Sequence, residues 1–205
     1  PAWEVLRKTS EKRPIQNVVE IVADAVDLKG KDAPGFGTDW NYFAASAAAR
    51  RGDTQLATKL YGHLAMDDRH FFTAKYEQAM LYVDQDKLKD AESSLKAILY
   101  PQSQKMASVA EDTRQELNDY AYMALGRIYY EEQRFADSAK MYRNVSRDGN
   151  QFYDALFEQS WAFFMGGYPM HSLGALHSVE SPFFTEVYNP EAPIVRALVY
   201  YWLCH

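Results

Sequence analysis

Few side chains in this chain are placed to do chemistry. His63, Asp67, Asp68 and His70 form its one cluster of metal-capable groups, and His63 and Asp67, four residues apart, would share a helix face. The cluster crosses a turn between two helical hairpins, where polar residues are expected for solvation, so it does not read as a metal site. His171 and His177, six apart, share no helical face well and read as structural histidines. Acid pairs such as Asp84 with Asp86 and Glu131 with Glu132 read as solvated faces at turns. Cys204 is the only cysteine, which excludes an internal disulfide and a cysteine-based zinc site. Nucleophile elbows, phosphate loops and dinucleotide fingerprints are absent. The chain therefore reads as non-enzymatic, with no cofactor and no metal.

Charge narrows the partners. A net charge of −6, with no Lys/Arg run longer than a pair, argues against nucleic acid, because neutralising phosphates requires a basic face. No apolar run reaches the ~18–20 residues of a membrane span, and the N-terminus lacks the basic-then-apolar pattern of a signal peptide. Pro1 in place of Met, and an apolar helical run ending at Cys204 without a cap, suggest a piece of a longer protein. Aromatic residues make up 15% of the chain, well above ordinary usage.

These side chains must be carried by helices. Alternating strand patterns are rare, while apolar residues recur at i, i+3, i+4 and i+7. Pro14 suits a first helical turn, Ile15, Val18, Val19, Val22 and Val26 then make one apolar face, and Gly30 offers a stop. Residues 30–37 read as a loop. Residues 1–37 are thus expected to form a partial or capping hairpin ahead of an array over 38–205.

Comparing the chain with itself exposes a repeat. Residues 120–145 carry Tyr122, Leu125, Gly126, Tyr129, Phe135, Ser138, Tyr142 and Val145, with Glu132-Gln133-Arg134 at the turn. Earlier copies hold Ala79, Tyr82, Leu88, Ala91, Leu95 and Ile98, and Ala45, Ala48, Gly52, Ala57, Tyr61 and Leu64. A later one holds Gln159, Gly166, Gly167, Tyr168, His171 and Ala175. Small residues let paired helices approach closely, and neighbouring rings fill the gaps between pairs. The pattern resembles the tetratricopeptide repeat (TPR), departing at Ser138 and Val145, where that family favours Ala. The resemblance implies an all-α, right-handed superhelix of stacked hairpins: four full hairpins starting near Thr38, Phe72, Asp119 and Phe152, and a partial fifth near Pro190. Residues 100–114 exceed an ordinary inter-repeat turn and read as an extended helix end plus a loop.

The same resemblance implies a concave groove lined by fixed positions in the first helix of each repeat. Carried over by register, these are Asp39, Tyr42, Ser46, Ala49 and Arg50, then Thr73, Tyr76, Met80, Val83 and Asp84. The third and fourth hairpins supply Tyr120, Met123, Arg127, Tyr130 and Glu131, then Tyr153, Leu156, Ser160, Phe163 and Phe164. The last half-repeat supplies Glu191, Ile194, Leu198, Tyr201 and Trp202. Rings with a polar tip and an adaptable Met suit peptide binding. The expected partner-binding residues are Tyr42, Arg50, Tyr76, Met80, Tyr120, Met123, Arg127, Tyr130, Tyr153 and Ser160, with Arg50 and Arg127 each placed to receive a carboxylate or to pair with a neighbouring acid such as Glu131. The Lys and Asn of carboxylate-clamp TPR domains are missing from the matching places. The implied role is a protein-interaction scaffold holding a peptide or protein, other parts of its own parent chain included. The alternatives are a non-catalytic α-superhelical accessory of a cell-wall glycan-processing protein, and an architectural spacer. Residues 157–162 and 190–193 also look like TPR proteins of bacterial cell envelopes, which places the chain in the envelope or periplasm ahead of the cytoplasm.

Overall fold

The computed structural model describes residues 38–101, 110–184, 187 and 189–204. The helix expected around Ile15–Val26 and the loop at 30–37 lie outside them. The described residues are all-α, with no strand among them. The helices are α1 (Thr38–Arg50), α2 (Thr54–Gly62), α3 (Phe71–Asp84), α4 (Leu88–Leu99), α5 (Glu111–Glu131), α6 (Phe135–Arg143), α7 (Phe152–Met165), α8 (Pro169–Val179) and α9 (Glu191–Leu203). A 3₁₀ turn at Pro182–Phe184 precedes α9. Within the long segment after α4, the extra helix belongs to α5, whose first turns at Glu111 precede the expected hairpin start near Asp119.

The chain forms two compact units, Pro1–Val109 and Ala110–His205. In the first, α1 packs on α2, α2 on α3 and α3 on α4. In the second, α5 packs on α6, α6 on α7, α7 on α8, and α9 on α8 and α7.

Each two-helix hairpin closes in the same way. The chain turns through one residue of positive φ, at Gly52 (81°), Asp86 (58°), Gln133 (59°) and Gly167 (80°). The amide two places past each helix cap then reaches back to the last full turn: Asp53 to the Ala48 carbonyl (2.9 Å), Lys87 to Tyr82 (2.9 Å), Arg134 to Tyr129 (2.8 Å) and Tyr168 to Phe163 (2.8 Å). These paired bonds satisfy carbonyls that a helix end leaves orphaned. Glycine takes the left-handed conformation freely; at Asp86 and Gln133 the two backbone bonds offset a conformational cost of ~1–2 kcal/mol. Gly52 and Asp86 are 34 residues apart, as are Gln133 and Gly167.

Burial repeats at the same interval. Ala45, Ala79 and Ser160 are 0% exposed, with Gly126 buried at the corresponding place. In the second helices, Ala57, Ala91, Ser138 and Ser172 correspond and are all 0% exposed. Tyr61, Leu95, Tyr142 and Leu176 fill the next buried place, and Leu64, Ile98, Val145 and Val179 the one after it. Ser138 stands where a smaller methyl would serve because its Oγ donates to the Gly126 carbonyl on the facing helix at 2.8 Å. Gly126 has no room for a side chain, since the Tyr142 ring lies against it.

Successive hairpins are joined by one device used twice. Buried Gln78 on α3 donates to the Thr58 carbonyl on α2 at 2.8 Å, and buried Gln159 on α7 donates to the Ala139 carbonyl on α6 at 2.8 Å. The connecting turns match too: Phe71 N to Asp68 O (3.0 Å) in the first unit, and Phe152 N to Gly149 O (3.1 Å) in the second.

Candidate functional site

The second unit carries an open cleft of ≈ 290 Å³ lined by Arg127, Tyr130 and Glu131 of α5, Tyr142 of α6, and Glu158 and Trp161 of α7. The 34-residue register positions them: Trp161 stands one full repeat after Arg127, and each directly follows a small buried residue, Gly126 or Ser160. With those small residues packed in the core, the next residue along each helix emerges beside the cleft.

The cleft is organised by charge. Arg127 donates from Nε to Glu158 Oε2 (2.9 Å) and Oε1 (3.2 Å), and from Nη2 to Oε1, a two-pronged pairing between adjacent hairpins. Such a fork fixes both planar groups. The Tyr142 hydroxyl is held above its ordinary range first by burial, then by the Glu158 carboxylate beside it. Tyr130 is pushed up by burial and by the charge of Glu131, and its ring meets Phe135 edge-on at 5.3 Å.

The residues expected to line a groove divide by exposure. Arg50 and Arg127 are exposed, and Tyr42, Tyr76, Met80, Tyr120 and Tyr130 are half-buried. Tyr42 lies parallel to His70 at 4.3 Å, and burial raises its hydroxyl. The Tyr120 hydroxyl donates to Glu116 at 3.2 Å. On α9, Ile194, Leu198, Tyr201 and Trp202 are exposed.

Two expected positions, Met123 and Ser160, are corrected. Met123 is 2% exposed and packs with Ala139, Tyr142 and Val145 in the core. Ser160 is 0% exposed and donates to the Phe157 carbonyl at 2.6 Å. Tyr153 is half-buried like the other expected rings, packed against the core of Leu176 and Val195 with its ring 5.1 Å from Phe184. For Ser160 the cause is a slip of one residue in the register of the fourth hairpin. A one-residue slip turns a helix by ~100°, carrying core positions onto the groove face. Counting 34 residues from Gly126 reaches Ser160 as the small core position, which shifts the fourth set to Asp154, Phe157, Trp161, Phe164 and Met165. Ser172 occupies the small position of α8, and His171 is exposed beside Phe163 and Tyr168. Glu158, the partner of Arg127 in place of Glu131, could be found only once two hairpins were aligned.

The polar cluster at the first inter-hairpin turn is engaged internally. Asp68 is buried and accepts from the His70 amide at 2.8 Å, and His70 Nε2 accepts from Arg69 Nε at 3.0 Å, while His63 and Asp67 are exposed. Among the described residues, no three His, Cys, Asp or Glu converge as a metal site. No described helix is long and apolar enough to cross a membrane.

No protein-family model matches the chain, and no curated protein matches it. Similarity does appear among solved structures. The crystal structure of BtubC (BKLC) from P. vanneervenii matches over 97% of this chain and 88% of its own, with a TM-score of 0.57 and 14% sequence identity. At that identity the likeness concerns the fold alone.

Proposed function

We propose that the chain is a non-enzymatic interaction scaffold of the tetratricopeptide type, which holds a peptide or protein partner against the first helices of its hairpins. The observation that carries this reading is the open cleft between α5 and α7, where rings and charges collect beside the buried small residues of the repeat. The 34-residue recurrence of turn and core supports the family assignment, since that is the length of a tetratricopeptide unit. The cleft suits recognition: its rings offer contact area at low entropic cost, and its fixed ion pair pre-organises the polar part. A bound peptide would then add contacts without first ordering the site.

The test is to immobilise the chain and offer it a decapeptide library in parallel with peptidoglycan fragments. Peptide selection that disappears in the combined Arg127→Ala, Tyr130→Ala, Trp161→Ala variant supports the scaffold. Retention of glycan fragments without peptide selection overturns it in favour of the glycan-processing accessory. Capture of neither class leaves the spacer role and also refutes the scaffold.

A further inference from the structure

We infer that the α5–α7 cleft receives a basic side chain, Lys or Arg, presented by the bound peptide. This rests on the peptide-binding reading above and names the chemistry at its centre.

Among the described residues, three rings line the cleft, from Tyr130, Tyr142 and Trp161, and its lining charges are the two carboxylates of Glu131 and Glu158 and the one guanidinium of Arg127. The guanidinium is engaged: Arg127 binds Glu158 through both Nε and Nη2. With that pair neutralised, Glu131 leaves the lining with one net negative charge. An acidic side chain would have to compete with Glu158 for Arg127 and would meet the Glu131 and Glu158 carboxylates as like charges. A purely apolar side chain would desolvate Glu131 and Glu158 with nothing in return. A cation on an apolar stem meets both demands, because its methylenes pack along the rings while its charge faces a carboxylate and the ring quadrupoles. The volume of ≈ 290 Å³ lies at the small end of ligand pockets, which span ~300–1,000 Å³, so it suits one side chain more than a larger group. Pairing with Glu158 offsets the Arg127 charge that would otherwise repel the entering cation.

The experiment uses the full chain and a decapeptide library, read by position-specific enrichment, followed by titration calorimetry on the best sequence. Lys or Arg should be enriched at one position, and replacing that residue with norleucine should weaken binding ~2- to 30-fold, the range a cation–π contact spans. Trp161→Ala and Glu131→Gln should each erase the enrichment, while Trp161→Phe, which keeps a ring, should retain it. Helical circular dichroism matching the parent certifies each variant as folded. Enrichment of acidic or only apolar residues overturns the inference and leaves the scaffold standing, as does basic enrichment unchanged by Trp161→Ala and Glu131→Gln. No enrichment of any kind overturns the scaffold reading and this inference together.

Discussion

Replacing Gly126 by alanine adds a single methyl group at the tightest place in the second unit. A Cβ built there would lie 2.4 Å from Tyr142 Cε1, 2.6 Å from Cζ and 2.8 Å from Cδ1. Comfortable carbon contacts are ~3.5–4.0 Å, so three ring atoms must move. The ring has little room to retreat: Tyr142 is 4% exposed and belongs to the core formed with Met123, Ala139 and Val145. Overpacking of this kind costs ~1–3 kcal/mol, and the number of overlapping atoms places it near the upper figure. Alanine recovers ~1 kcal/mol of helix propensity, leaving a net loss of ~2 kcal/mol. Gly174 on α8 supplies the control, because nothing lies within 4 Å of a Cβ there; Gly174→Ala should gain up to ~1 kcal/mol. Equilibrium urea unfolding measures both. With a slope of ~2 kcal/mol/M, Gly126→Ala should lower the midpoint by ~1 M and Gly174→Ala raise it by up to ~0.5 M. In a Tyr142→Ala background, Gly126→Ala should cease to be costly. A Gly126→Ala midpoint at or above the parent's would refute the close approach of α5 and α6.

The two corresponding serines of α6 and α8 should respond differently in the same assay. Ser138→Ala loses the bond to the Gly126 carbonyl and should cost ~1 kcal/mol, whereas Ser172→Ala removes a buried hydroxyl that has no partner among the described residues and should be neutral or stabilising. Gln159→Leu removes the inter-hairpin donor to the Ala139 carbonyl, which keeps its in-helix bond, and should cost ~0.5–1.5 kcal/mol; an unchanged midpoint would show that the inter-hairpin bond contributes nothing. The alkaline limb should report Tyr61, whose hydroxyl is pushed up to about 12 from 10.0, chiefly by burial. The folded state thus favours the protonated phenol, so this contribution is present below pH 10 and is lost as pH rises from 10 to about 12. Tyr61→Phe should flatten that limb in stability measured against pH.

Much of the fold is legible before any coordinates because small residues announce close helix approach. Ala45, Ala79 and Gly126 fall 34 apart or at matching places, and all are buried. The fourth hairpin misleads for a physical reason. Helix α7 reads Phe-Tyr-Asp-Ala-Leu-Phe-Glu-Gln-Ser-Trp-Ala-Phe-Phe-Met, with rings on every face, so apolar periodicity does not select a register. Anchoring on the leading ring Phe152 costs one residue; anchoring on Ser160, as the equivalent of Gly126, recovers Trp161. The turns at Asp86 and Gln133 are legible in the sequence, but their positive φ is not, because neither residue type announces it as glycine does. The Arg127–Glu158 pair spans two hairpins, and a local search among acids reaches Glu131 first.

The paired glutamines carry a consequence for how such a chain can vary. Gln78 and Gln159 bond to main-chain carbonyls, of Thr58 and Ala139, and not to those residues' side chains. Every amino acid supplies that acceptor. The joint between hairpins therefore constrains only one of its two partners, and the other is at liberty to drift, as Thr in one unit and Ala in the other already illustrate. What the joint does not tolerate is a change of length between the two, because each glutamine must arrive 20 residues after its acceptor. Substitution at the acceptor is cheap there, whereas insertion is not.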